Sequence, residues 1–296
     1  MFTGVSAFPL TPMNESSIDE SAFSKLLSNL VINKVDSIGV LGSTGSYAYL
    51  SVPERKRIAE IAIEHAQEIP IIVGIGALRT RDVLTLAEHA QSAGADAVLL
   101  APVSYQKLTD NEVFGLYETV TRSLSIPLCV YDNPSTTHFE FNHELHARIA
   151  QLPHVGSIKL PPLPTDPQIA KVKVEQLRSL IPSHVTIGIS GDVYALNGLQ
   201  AGCDAWYSVI AGLFPLAAQE ILGAFKTQGV DEATRLNKRL EPLWAMFKQY
   251  GSLRVLATAA ALLGFVAEPC LPLPIKALDS ESRTKLGRIL KEIELL

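Results

Sequence analysis

Three cysteines in 296 residues, Cys129, Cys203 and Cys270, are too few and too scattered for a disulfide scaffold, and no CxxC pair offers a zinc or redox couple. A reducing, cytoplasmic setting is expected. The chain also lacks any block of like charges: 25 basic and 30 acidic residues are interspersed for a net charge of −5, which argues against a nucleic-acid footprint or a polybasic membrane patch. The longest apolar stretch, Val255 to Ala267, is broken by Thr258 and Gly264 and is too short to span a bilayer, so it reads as a buried helix. The opening MFTGVSAFPLTPM has no basic n-region and no small-residue cleavage pattern, and reads as a strand rather than a secretion signal. Small molecules remain as the expected partners, without nucleic acid or membrane.

What the chain does have is apolar material: 47% of its residues are hydrophobic, enough for a sizeable core. Short β-branched or apolar runs recur at Gly4–Phe8, Ser37–Leu41, Ile71–Ile75, Ala95–Ala101, Pro127–Tyr131, Val155–Leu160, Val185–Ile189 and Asp204–Val209. Near-continuous apolar strands separated by amphipathic helices imply a parallel sheet covered on both faces. Helix starts are legible between them. Ser51 with Glu54 and Thr109 with Glu112 fit capping boxes, and Asp166 and Asn142 fit N-caps. After residue 229 only helices are expected, over Asp231–Tyr250, Ser252–Leu263 and Asp279–Leu295. Eight β/α units followed by helices predict an α/β fold, a TIM (β/α)8 barrel over residues 1–229, with a three-helix extension over 230–296. An open doubly wound sheet would share much of this pattern.

Barrels of this kind carry their chemistry on the C-terminal ends of the strands and the loops that follow. Lys159 ends the sixth strand in VGSIKLPPLP, an apolar setting that desolvates an ammonium and favours the neutral amine a Schiff base requires. A buried ion pair closing the barrel would explain the same position. Tyr131 ends the fifth strand, adjacent in barrel order, where its phenol could relay protons or could simply be a core tyrosine. The turn formers Asp132, Asn133, Pro134 and Ser135 follow it. The loop Gly42-Ser43-Thr44-Gly45-Ser46 combines close backbone approach with hydroxyl donors, suited to a small carboxylate or phosphate, though a plain turn would look alike. His138, His143 and His146 lack a companion carboxylate or cysteine cluster and read as solvated or capping residues, so no metal is expected. Trp206, Tyr207, Phe214 and Trp244 read as core or pocket wall.

The ordered set of GSTG after strand two, a tyrosine before a proline turn after strand five, and IK ending strand six resembles the dihydrodipicolinate synthase / N-acetylneuraminate lyase family. The likeness runs from MFTG…TPM through GDVYAL to the C-terminal helices, essentially the whole chain. It implies a Schiff-base lyase acting on pyruvate or a 2-keto-3-deoxy acid without a cofactor, with Lys159 as the Schiff-base lysine and Tyr131 as the proton shuttle. It further implies that Ser43 and Thr44 hold the carboxylate, and that Ser43 links Tyr131 to a second tyrosine, Tyr105, from a neighbouring subunit. A homo-oligomer, dimer or tetramer, follows. The distal end of the substrate is expected to meet Thr136, Thr137, Ser190, Gly191 and Ile210. Three departures are visible: Ser46 stands where the family loop GTTGE has its acid, Leu160-Pro161-Pro162-Leu163 replaces the usual EATG, and Thr136 stands where dihydrodipicolinate synthases place an arginine for aspartate semialdehyde. A guanidinium grips a carboxylate through paired charged hydrogen bonds that threonine cannot make, so a different keto acid is expected. The alternatives are a true 4-hydroxy-tetrahydrodipicolinate synthase, a phosphate-binding barrel enzyme using Gly188–Gly191 and Ser208–Gly212, and a non-catalytic keto-acid-binding barrel.

Overall fold

Eight parallel strands pair in chain order and close on themselves: β1 (Gly4–Ala7), β2 (Ser37–Val40), β3 (Ile71–Gly74), β4 (Ala97–Leu100), β5 (Leu128–Tyr131), β6 (Val155–Leu160), β7 (Thr186–Ser190) and β8 (Ala205–Ser208). The computed structural model describes residues 1–296. Each strand falls within a residue or so of an apolar run read from the sequence, and closure by β1 against β8 decides for the barrel over the open sheet. Nearly every strand residue is buried, because barrel strands face side chains on both sides.

Alternation along the strands sorts the apolar residues into two clusters. One lies between the strands and the surrounding helices; the other fills the barrel interior with Phe2, Phe8, Leu99, Cys129, Tyr131 and Tyr207 among others. The helices start where the sequence signalled. The Ser51/Glu54 and Thr109/Glu112 capping boxes are complete in both directions, Asp166 caps the helix Pro167–Leu180 through the Gln168 and Ile169 amides, and Asn142 caps His143–Ala150 through Leu145.

Beyond the last barrel helix, Pro215–Thr227, the chain is helical. The stretch read as one helix from Asp231 to Tyr250 is two, Val230–Arg239 and Glu241–Tyr250, joined at Leu240. Pro242 accounts for the break: inside a continuous helix it would deprive a carbonyl of its donor and clash with the preceding turn, whereas in the first turn of a new helix it costs nothing. Ser252–Leu262 and Ser280–Glu292 complete the extension, and both pack with Glu241–Tyr250. Leu243, Trp244, Val255, Leu256, Leu286 and Leu290 belong to the same apolar cluster as the barrel's outer layer. No helix is long and apolar enough to cross a membrane.

Candidate active site

Tyr131 and Lys159 are directly opposed in the β5–β6 register, the last residue of one strand beside the penultimate residue of the other. Three rings surround the lysine amine. Lys159 Nζ lies 3.7 Å from the centre of the Phe8 ring, 4.1 Å from that of Tyr131 and 5.3 Å from that of Tyr207. Room for the last of these comes from Gly188, paired with Lys159 on the other side, where a Cβ would run into the Tyr207 ring. Room for Phe8 comes from Gly39, Gly42 and Gly212, each of whose Cβ atoms would collide with the Phe8 ring or backbone.

No carboxylate pairs with Lys159, and its Nζ is not among the sealed polar atoms that lack a partner, although the residue is only 4% exposed. The ion-pair reading of this lysine is therefore not what the structure holds. Burial lowers its pKa to about 7, partly offset by the charges of Cys129 and Asp192. The faces of Phe8 and Tyr131 also act in the ammonium's favour. Burial pushes the Tyr131 phenol up to about 12, against the hydrogen bond with Ser43 that draws it down.

Tyr131 Oη and Ser43 Oγ are 3.4 Å apart. Ser43 is half-buried and Thr44 buried, and the amides of Ser43, Thr44 and Gly45 donate to no protein acceptor, which leaves a short row of N–H groups and hydroxyls open to an anion. Ser46 sits in the left-handed region at φ 53°, closing this loop into the short 3-10 turn Tyr47–Tyr49. The structure thus brings Ser43, Tyr131 and Lys159 together. It leaves Tyr105 apart, 91% exposed on the loop after β4.

The rim residues divide. Thr136 is exposed, Ser190 and Gly191 are half-buried, and Thr137 and Ile210 are buried. Ser190 Oγ donates to the Leu160 carbonyl at 2.7 Å, and Thr137 Oγ1 to the Asn133 carbonyl at 3.0 Å. Two surface clefts, of about 310 and 820 Å³, lie on the outside of the barrel, one beside Glu60 and His89 and the other beside Lys25 and Phe265, away from these groups.

Three side chains at this site were not singled out in the sequence. Phe8 read only as part of a strand. Asp192 appeared in GDVYAL without a role; it is buried, and its carboxylate accepts from Trp206 Nε1, Ser208 Oγ and the Val209 and Ile210 amides, fixing the turn after β8 beside the site. Asn133 read as a turn former, yet its side chain reaches Ser43 at 3.2 Å. His146 also departs from expectation: it is buried, stacked on Phe141 at 4.8 Å, with Nε2 3.5 Å from Asp132 Oδ2. Burial drives that carboxyl up to about 7 and that imidazole down to about 3, so the imidazole is uncharged and the contact is not an ion pair. No three histidine, cysteine or carboxylate side chains converge as a ligand set.

The family model described as the dihydrodipicolinate synthetase family matches residues 1–293. The 4-hydroxy-tetrahydrodipicolinate synthases of Methanothrix thermoacetophila and Acidiphilium cryptum are 29% and 30% identical, the first over 99% of this chain and 97% of its own length, the second over all of both. Among solved structures, a dihydrodipicolinate synthase from Agrobacterium tumefaciens is 42% identical with a TM-score of 0.94, covering 99% of this chain and 98% of its own. One described as the first monomeric dihydrodipicolinate synthase variant is 26% identical with a TM-score of 0.90, covering 100% of this chain and 98% of its own.

Proposed function

The chain belongs to the dihydrodipicolinate synthetase family and is a lyase of the Schiff-base aldolase type, and on that premise we propose that Lys159 condenses with the keto group of pyruvate or a 2-keto-3-deoxy acid. The observation that carries the assignment is the unpaired Lys159 amine with Tyr131 opposed to it across the β5–β6 register.

The substrate carboxylate rests on the Ser43 and Thr44 hydroxyls and the free amides of their loop. Neutral Nζ adds to C2; Tyr131 protonates the resulting oxyanion and takes a proton back from the nitrogen, then protonates the carbinolamine hydroxyl, so that water departs and leaves an iminium and the Tyr131 phenolate. The Tyr131 phenolate takes the proton from C3, or from the C4 hydroxyl as the C3–C4 bond breaks, and the iminium accepts the freed electron pair and becomes an enamine; an aldehyde then leaves directly, or water leaves once the regenerated Tyr131 phenol protonates the C4 hydroxyl, without a metal. Exposed Thr136 and half-buried Ser190 and Gly191 meet the distal end of the substrate, with Thr137 and Ile210 behind them. Tyr105 of a second copy completes the relay at Ser43, which requires a dimer or tetramer; its exposure supports a partner-borne role. Residues 1–229 are the catalytic barrel and 230–296 the helical extension, and three free cysteines support a cytoplasmic location.

Borohydride reduction in the presence of pyruvate, followed by peptide mapping, is expected to find the added mass on Lys159 and to find none in Lys159→Ala. A labelled peptide elsewhere, or no label in the folded wild-type protein, would overturn the assignment. A second reading, condensation of pyruvate with aspartate semialdehyde, is favoured by the names of the relatives. Thr136 weighs against it, since its hydroxyl is held by Asn133 at 2.6 Å and carries no charge. Turnover of aspartate semialdehyde at least as efficient as that of any 2-keto-3-deoxy acid would reverse this preference.

A further inference from the structure

We propose that Asn133 is a positioning residue that sets the direction of the proton path, donating to Ser43 so that the hydrogen of Ser43 points at the Tyr131 oxygen. This rests on the roles given above to Tyr131 and Ser43. Asn133 lies two residues past Tyr131 and precedes the single helical turn Pro134–Thr137. Its backbone is pinned: the carbonyl accepts the Thr136 amide at 3.1 Å, the Thr137 amide at 3.0 Å and the Thr137 hydroxyl at 3.0 Å.

The orientation of its side-chain amide follows from its neighbours. Its NH2 faces Thr136 Oγ1 at 2.6 Å, and that hydroxyl can accept from it while turning its own hydrogen to the Asn133 carbonyl at 3.4 Å. The opposite side is consistent, because Ser135 Oγ donates to Asn133 Oδ1 at 2.8 Å. Nδ2 has two hydrogens; one goes to Thr136 and the other to Ser43 Oγ at 3.2 Å. Ser43 is thus an acceptor toward Asn133, and its single hydrogen remains for the Tyr131 oxygen at 3.4 Å. Tyr131 in turn keeps its own hydrogen for the carbinolamine oxygen, where the reaction needs an acid, and its phenolate is stabilised by Ser43 when it becomes the base. The second lone pair of Ser43 is left for Tyr105 of a second copy.

Turning the polarity around should disable this arrangement without preventing the adduct. In Asn133→Asp the carboxylate has no N–H, takes the Ser43 hydrogen and obliges Tyr131 to donate to Ser43. Asn133→Leu removes donor and acceptor alike. The test measures two quantities in each variant: the end-point yield of borohydride-trapped pyruvate on Lys159, and the rate at which the pyruvate methyl exchanges deuterium in D2O, followed by NMR. Trapping is expected to stay within twofold of wild type, while exchange falls about 3–10-fold in Asn133→Leu and about 10–100-fold in Asn133→Asp. Thr136→Val, which frees the amide to turn, is expected to slow exchange a few-fold in wild type and not at all in Asn133→Asp.

A merely structural role predicts the opposite order, with the near-isosteric Asp tolerated better than Leu. Exchange within twofold of wild type in Asn133→Asp, that reversed order, or loss of trapping in step with exchange would each overturn the proposal. Absence of trapping in wild type would instead remove the Lys159 chemistry itself, so the two failures are distinct.

Discussion

A lysine buried among aromatic rings with no counter-ion is a burden on the fold and would be an asset to the proposed reaction, and both aspects can be measured. With its pKa lowered to about 7 by burial, the amine gains its reactive neutral form as pH rises. The rate of adduct formation at subsaturating pyruvate is expected to climb about tenfold per pH unit below 7 and to level off above it; a flat profile from pH 5 to 8 would contradict this. The stability sign is the same. Between about 7 and the ordinary value of 10.5 the unfolded chain binds the extra proton, so this group makes the protein more stable as pH increases, and below 7 its full penalty remains. Lys159→Met should therefore raise the unfolding free energy at pH 7 by about 0.5–2 kcal/mol while abolishing the adduct. Calorimetry of the two proteins checks it.

At the scale of the element, the site depends on the turn that ties β7 to β8. Four donors converge on the Asp192 carboxylate, among them the Val209 and Ile210 amides, so this one side chain holds the loop after β8 against the barrel mouth. In Asp192→Asn one of the two oxygens becomes an NH2 facing donors. A loss of about 2–4 kcal/mol is expected from the unpaired buried groups, read as a lower denaturant midpoint at unchanged slope. An unchanged midpoint would show that the turn is held by packing alone. The helix break at Leu240 makes the complementary point about local signals: Pro242 was visible in the sequence, but apolar periodicity runs through it, and chain direction changes where the missing N–H decides.

For the whole molecule the surface bears on assembly. Tyr49, Leu78 and Tyr105, on the loops after β2, β3 and β4, are 53%, 68% and 91% exposed, and large apolar side chains on three successive loops suit a surface that another copy covers. If Tyr105 acts in a neighbour's site, Tyr105→Phe should lose about tenfold or more in turnover with its sedimentation coefficient unchanged. Mixing and reassembling it with inactive Lys159→Ala should then restore activity, because a hybrid contains sites with both residues intact. Failure of the mixture to regain activity under conditions where subunits exchange would place Tyr105 outside the reaction.

The strands, the caps and Lys159 were legible in the sequence because each rests on local chemistry: apolar runs of strand length, a hydroxyl three residues before a glutamate, a lysine in an apolar stretch. The roles proposed for Tyr131 and Ser43 came from the resemblance. What the sequence could not reveal were the partners brought from far along the chain. Phe8 meets Lys159, Asp192 meets Trp206, and Asn133 meets Ser43 only after the barrel closes, 90 residues apart in the last case. His146 turned inward for the same reason, since one turn of helix fixes its spacing but not the surface against which that face packs. Local sequence determined which elements form and which residue could be an uncharged amine; tertiary closure decided what surrounds that amine, because desolvation and hydrogen-bond direction are properties of neighbours in space.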